Sequence, residues 1–372
     1  MPTGRATTFD LTVGLYLDIE SLIHVLSPFD TPLLGQYGAD GRSALSAHPC
    51  FEKKVEWLDE ALLTPRSTVA VLAITGATSV QVAAGDQLKF STGDIILLGS
   101  EYMRVTGYGA TDVLNVTRAY SGSAAQYAIG TPVVGVGTAL PEGSDPENAR
   151  YLDRSNRYNM TQIFGPTAVQ VSGTENVVKK YGIEGTTEFE KQVANRTKEM
   201  AVAIEQALIY GVRAEDTTNK WRTMGGLIYW IVTQVDSTTT TFSETSLLAN
   251  LQTCYDAGGS PDRAVMGSKN KRIASGFTSS GVVQIQRPDN GRGTVVTYFD
   301  SDFGRLSFLL DRWCRTADVM VFSREQASIE TLRPLVYENL AKTGDSMKGQ
   351  VVCEKSFRFR EELHAFRYSA LT

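Results

Sequence analysis

The sequence predicts an α+β fold, rich in strands and organised around one long helix. Three observations predict it. Residues 68–137 carry short runs of Val and Ile between Gly-containing turns, the spacing of a small antiparallel barrel or sandwich. Residues 187–210 carry a single apolar stripe at helical period. Residues 335–370 return to strand-like runs that suggest a closing antiparallel meander.

The first 48 residues read as an apolar arm. Leu15, Leu22, Ile23 and Leu26 recur at helical intervals before Ser27-Pro28 and Thr31-Pro32 break the pattern. The arm is too short for a core of its own, so it must lie on its own body or on a neighbour. In residues 49–64 a strand is expected with Phe51, Val55 and Trp57 on one face beside Lys53. Glu52, Lys54 and Glu56 then fall on the other face. Mixed charge of this kind fits a contact surface and a solvated edge strand equally.

The runs Val69–Ile74, Ile95–Leu98, Tyr102–Val105, Val113–Val116 and Val133–Val136 predict the β-module of residues 68–137, with residues 93–107 and 113–122 as successive hairpins. The module lacks clustered aromatics or a Lys/Arg stripe, which argues against a nucleic-acid platform. Leu140 to Arg157 reads as a polar loop, and Ile163–Ser172 as a strand expected to pair with residues 49–64. Thr187 and Glu190 form a capping box at the start of the long helix. Phe189, Val193, Met200, Ile204 and Leu208 form its stripe, and Gly211 is expected to close it in the left-handed conformation. Farther on, strands are expected at Leu227–Val232, Ala264–Gly267, Val295–Phe299, Leu306–Leu310 and Val319–Phe322. Helices are expected at Ser246–Tyr255 and Lys269–Gly276, and Gln286–Thr294 is a loop holding Arg287 and Arg292. Val336–Leu340, Lys348–Glu354 and Ser356–Arg360 make the meander, turning first at Gly344. Phe357-Arg358-Phe359-Arg360 alternates as a strand with one buried face does.

A length of 372 residues predicts about two to three domains, or one domain with large insertions. The net charge of −5 gives no bulk basic field for nucleic acid. No apolar run is long enough for a membrane span, and the first residues lack the apolar core of a secretory signal. Cys50, Cys254, Cys314 and Cys353 are scattered, without a metal or disulfide spacing, and read as free thiols. The phosphate-loop, dinucleotide, nucleophile-elbow and zinc-protease motifs are all missing from the sequence. His24, His48 and His364 stand far apart in the sequence and read as ordinary core or surface histidines. Asp302-Phe303-Gly304 spells a kinase motif without its companion motifs, and reads better as a turn that Gly304 permits. Asp300 and Asp302 read as a solvated turn rather than a cation site. The sequons at Asn115, Asn159 and Asn195 match three letters only, and Asn195 falls within the expected helix. No catalytic, cofactor-binding or metal residue is therefore assigned, no cofactor is expected, and a structural role is favoured over an enzyme.

Four stretches carry a family resemblance: DLTVGLYLDIESLIHVLSPFDTPLL; VEWLDEAL; QIFGPTAVQVSGTENVVKKYGI with EFEKQVANRTKEMAVAIEQALIYG; and VVTYFDSDFGRLSFLLDRW with LRPLVYENLAKTGDSMKGQVVCEKSFRFREELHAF. In this order they resemble the major capsid (major head) proteins of tailed bacteriophages, which share the Hong Kong-type phage capsid fold with encapsulin shells. The resemblance implies an N-terminal arm (1–48), extended-loop legs (49–67 and 138–180) and an inserted small β-barrel (68–137). It also implies a peripheral domain with a spine helix (181–224 and 331–372) and an axial domain (225–330). The barrel is a departure from the minimal pattern, placed where a hairpin tip accepts a folded insert. The function implied is self-assembly into an icosahedral head shell around double-stranded DNA. The partners implied are further copies of the chain in hexamers and pentamers, with portal, scaffold and decoration proteins as further candidates. DNA would be enclosed non-specifically and no membrane is involved. The place implied is the virion, after assembly in the bacterial host cytoplasm. An encapsulin-like compartment and a tail or baseplate protein are the alternatives. Some relatives weld subunits through a lysine–asparagine bond, but nothing in this sequence identifies such a pair.

Overall fold

The computed structural model describes residues 29–35, 44–60, 62–143, 154–180, 187–277, 298–342 and 344–372. The stripe of Leu15, Leu22, Ile23 and Leu26, His24, and the Arg287/Arg292 loop lie outside the described residues. The chain divides into two compact units, residues 58–156 and the remainder.

The larger unit is built on two sheets and the long helix. That helix runs Glu188–Tyr210, 23 residues, or about 35 Å. The capping box at its start is present: Thr187 Oγ1 accepts from the Glu190 amide, and Glu190 accepts from the Thr187 amide. Its buried side is Phe189, Met200, Ile204, Glu205, Leu208 and Ile209. Met200, Ile204, Leu208 and Ile209 join a core with Phe164, Val351, Cys353, Phe357 and Phe359. The helix end differs from expectation. Gly211 has φ −55° and ψ 144°, not the left-handed conformation. Glycine is needed there for space: a Cβ would lie 2.4 Å from the Ala207 carbonyl oxygen and 2.5 Å from that of Met224.

The helix lies against a four-stranded sheet in the order Ser46–Pro49, Ala327–Asn339, Ser346–Phe359, Gln162–Ser172. Its centre is one long hairpin rather than a meander of short strands, because Ala327–Asn339 and Ser346–Phe359 pair along nearly their whole length. Phe357 and Phe359 point into the core and stack with centroids 6.0 Å apart. Gln162–Ser172 pairs antiparallel with Ser346–Phe359, not with residues 49–64. Its apolar alternate residues, Phe164, Val169 and Val171, fill the same side as the helix. A register shift between Phe164 and Thr167 is allowed by Gly165, at φ 93°. Ser46–Pro49 joins the opposite edge in parallel with Ser328–Thr331.

The second sheet of this unit has six strands in the order Val235–Asp236, Phe366–Tyr368, Val319–Phe322, Arg263–Met266, Gly304–Leu310, Tyr298–Ser301. Helices Glu244–Asp256 and Ser268–Ala274 supply Leu247, Leu251, Cys254 and Ala274 to a core with Phe299, Phe308, Val319 and Val321. Residues Leu227–Trp230 form a short helix, not a strand. The run Leu227–Val232, expected as a strand, is six consecutive apolar residues and has no period of its own. Here Gly226 hydrogen-bonds back to Gly211 and starts the turn instead.

The smaller unit contains a sheet in the order Arg66–Thr68, Pro132–Thr138, Asp94–Leu98, Glu101–Tyr108, Val113–Ser121, Ser79–Gln81. Its two edges meet: Val69 bridges Val82, the Ala70 amide donates to Gln81, and the Ala83 amide donates to Thr68. The sheet therefore closes into a barrel, which removes exposed strand edges. Val80, Phe90, Ile96, Leu98, Met103, Val105, Leu114 and Val133 fill it. Residues 113–122 are not a hairpin in themselves. They are one strand that turns back on Glu101–Tyr108.

Candidate assembly elements and buried polar network

The chain passes between the two units along a two-stranded ribbon, Lys54–Glu60 with Arg154–Met160. Lys54–Glu60 alternates as expected, with Val55 and Trp57 buried and Glu56 exposed. Phe51 departs from that face: it precedes the strand and is 90% exposed. Lys54 pairs with Glu56, and Arg154 with Glu60 at 2.8 Å. A two-stranded ribbon alone is marginal, so its root matters.

The root is fixed by polar contacts that sequence reasoning missed. Asn159 is fully buried. Its Nδ2 donates to the carbonyls of Gly225 (2.9 Å) and Phe357 (2.5 Å), and its Oδ1 accepts from the amides of Gly225 (2.8 Å) and Met160 (2.9 Å). This burial also disposes of its sequon as a modification site. The next residue but one, Thr161, donates to Glu354 Oε1 at 2.7 Å. Arg222 pairs with the same Glu354 and donates through Nε to the Thr161 carbonyl at 2.7 Å. Ser356 donates to the Met160 carbonyl at 2.9 Å. Above them the Arg213 guanidinium lies 4.2 Å from the Tyr158 ring and donates to the Tyr158 carbonyl. Trp57 and Trp230 pack at 5.1 Å.

A second buried group sits where the described part of the arm meets the body. Glu205, on the long helix, and Asp311 are both wholly buried. Glu205 Oε1 accepts from the Leu33 amide (2.6 Å) and Oε2 from the Leu34 amide (3.2 Å). These amides belong to the single turn Pro32–Gly35. Asp311 Oδ1 accepts from the Trp313 amide at 2.8 Å, whereas its Oδ2 is buried without a donor among the described residues. Burial, reinforced by the negative charge of Asp311, pushes the Glu205 carboxyl up to about 8; burial raises Asp311 as well. The same turn is tethered outside by Arg312 to Asp30 (3.0 Å) and by Trp313 Nε1 to the Asp30 carbonyl (2.9 Å). A signal for Glu205 exists in the sequence, since Ile204, Leu208 and Ile209 place it on the apolar side of the helix.

In the barrel, buried Glu101 accepts from Arg118 Nε (2.9 Å) and Nη2 (2.7 Å) and from the amides of Ala119 (2.9 Å) and Ala125 (3.2 Å). The paired guanidinium, followed by the two amides, holds this carboxyl down to about 2. Ala119 is held at φ 52° beside it. Val71, Leu72, Ile74 and Ile129 of this unit are exposed.

The remaining sequence candidates do not converge. His48 is exposed and His364 lies near Gln326. Asp300 is taken by Arg305 (2.7 and 3.2 Å), and Gly304 at φ 127° makes the turn. The four cysteines are free, three of them buried. Among the described residues no group of His, Cys, Asp and Glu could hold a metal, and no helix is long and apolar enough to cross a membrane.

The arrangement of helix, long hairpin, six-stranded sheet and ribbon is that of the tailed-phage capsid proteins. It is similar to the capsid of Myoviridae phage XM1, with TM-score 0.51 and 11% identity, covering 96% of this chain and all of that one (100%). It is equally similar to the capsid of a native GTA particle, with TM-score 0.51 and 10% identity over 98% of each chain. The SrpI encapsulin of Synechococcus elongatus matches 59% of this chain and 78% of its own at 10% identity, with TM-score 0.41. No curated protein sequence matches. The chain belongs to the SU10 major capsid protein family, which matches it over residues 1–372.

Proposed function

We propose that this chain is the repeating subunit of an icosahedral head shell that encloses double-stranded DNA, with copies arranged as pentamers and hexamers. The family match over residues 1–372 carries this reading. Assembly takes place in the host cytoplasm and the product is the virion capsid; portal, scaffold and decoration proteins are its further partners. The role is structural rather than catalytic. In domain terms, residues 1–48 are the arm and the barrel of 68–137 is an insert carried by the extended loop. Residues 181–224 with 331–372 form the peripheral domain, and 225–330 the axial domain.

The physical rationale is cover for exposed groups. Phe51, Leu58, Leu62 and Val177 are among the most exposed apolar side chains. Burial against neighbouring copies would contribute about 25 cal/mol per Å², before the entropic cost of association. Charged residues such as Lys54 and Glu56 would set register more than affinity. The negative net charge keeps the shell from adhering to the genome it encloses.

Electron microscopy of concentrated purified protein, with the nucleic-acid content of particles from infected cells, tests the reading. Closed shells with DNA are expected. Shells filled with protein cargo would favour a compartment, rings or tubes a tail component. A protein that stays monomeric at high concentration would overturn the proposal.

A further inference from the structure

We propose that Glu205 and Asp311 form a proton-operated clasp on the Pro32–Gly35 turn, closed while the pair shares one proton and opened when that proton leaves. Burial of two interacting carboxyls favours a shared proton. Both carboxyls are wholly buried, and Asp311 Oδ2 has no donor among the described residues. A proton on Glu205 supplies that donor and removes one of two adjacent negative charges. The other lone pairs of Glu205 continue to accept the Leu33 and Leu34 amides. Two ionised carboxylates at this depth would repel each other without a compensating cation.

The charged and titratable neighbours are otherwise engaged. From the arm, Asp30 pairs with Arg312 at 3.0 Å. From the loop after Asp311, Arg315 pairs with Asp318 at 2.7 Å. Cys314 donates to the Asp318 carbonyl at 3.3 Å, and burial first, then the charges of Asp311 and Asp318, push its thiol up to about 12. From the long helix, the Tyr210 hydroxyl accepts the Arg315 amide at 2.7 Å, and Lys198 lies 4.7 Å over the Phe29 ring. From the neighbouring strand Arg263–Met266, the Met266 carbonyl accepts the Asp311 amide at 2.9 Å, and the buried Arg263 pairs with Asp262 at 3.2 Å. No cation is paired to either carboxyl among the described residues.

The sign follows from linkage. Glu205 binds its proton more tightly in the closed clasp, up to about 8, than in an open one, where a carboxyl titrates near 4.5. Rising pH across that interval therefore favours opening, at a limit of about tenfold per pH unit, and the effect levels above about 8. The clasp does not depend on the shell reading.

Hydrogen exchange of the full-length protein, read on peptides covering residues 29–35 and corrected for intrinsic exchange, tests it. Protection at Leu33 is expected to fall at least tenfold between pH 6 and pH 8 and then to level, while a core peptide covering 351–359 stays protected. Glu205→Gln keeps an acceptor for Leu33 and gives Asp311 a permanent donor, so its profile should be flat. Asp311→Asn removes the second charge and offers its amide to an ionised Glu205, so its slope should be shallower than that of the wild type, which serves if the first variant folds poorly. A flat wild-type profile, or a wild-type slope in either folded variant, would overturn the proposal.

Discussion

Replacing Asn159 by alanine should loosen the ribbon root more than any surface change could. Four hydrogen bonds between 2.5 and 2.9 Å end on this one side chain. Their partners are backbone groups of three separate segments, at Met160, Gly225 and Phe357. Alanine leaves these groups buried, at about 1–3 kcal/mol for each one that finds no other partner. A water in the vacated space would satisfy some of them, so the expected loss is about 4 kcal/mol. That is a large share of a typical stability of about 5–15 kcal/mol. Urea unfolding followed by tryptophan fluorescence suits the site, because Trp57 and Trp230 pack against each other in the same core. Asn159→Asp separates the contributions. It retains the oxygen that accepts the two amides but turns the donor toward Gly225 and Phe357 into an acceptor facing carbonyls, so it should be at least as damaging as alanine. A loss under about 1 kcal/mol for both variants would refute the reasoning.

Other perturbations give separable outcomes. Gly211→Ala should cost about 1–3 kcal/mol in denaturant unfolding, because its Cβ meets two carbonyl oxygens that cannot both retreat. Thr187→Ala removes the helix cap and should cost about 1 kcal/mol by the same measurement, with Thr187→Ser restoring most of it. Arg118→Met leaves Glu101 buried and unpaired, and should destabilise the barrel by about 3–5 kcal/mol, read by hydrogen exchange on peptides from residues 94–121. Glu101 is held to about 2, below an ordinary carboxyl at 4.5. Its contribution should therefore be complete above about pH 4.5 and disappear as pH falls toward 2. An acid titration of barrel protection in the wild type checks this, and Glu101→Gln should remove the dependence.

The long helix was readable because its signals are local: a capping box within the four residues Thr187 to Glu190 and a stripe that repeats along 23 residues. The barrel strands were readable for a similar reason, through alternation between Gly turns, although the pairing of Val113–Ser121 depended on contacts outside its own run. Strand partners were not readable. Gln162–Ser172 has the alternation of any half-buried strand, and only the core beneath Phe164 selects Ser346–Phe359 as its neighbour. The buried polar groups were hidden because their chemistry comes from distance in sequence. Asn159 looks like part of a sequon until Phe357, 198 positions away, lies beside it. Glu205 looks like one more helical glutamate until the Leu33 amide, 172 positions away, reaches it. The strand expected at Leu227–Val232 was misread for another reason, since six consecutive apolar residues fit either periodicity and the preceding glycine decided for a helix at Leu227–Trp230.

The parallel docking of Ser46–Pro49 on Ser328–Thr331 has a consequence for how the polypeptide matures. A segment that leaves the ribosome early must wait for one made about 280 positions later, since Ser46 Oγ bonds to the Ala327 carbonyl at a separation of 281. The barrel has no such delay, because its strands lie within residues 66–138 and can close while synthesis continues. The nascent chain should thus carry a finished barrel before the larger unit is complete, and the edge of the long hairpin is sealed only after residues 327–339 have been made.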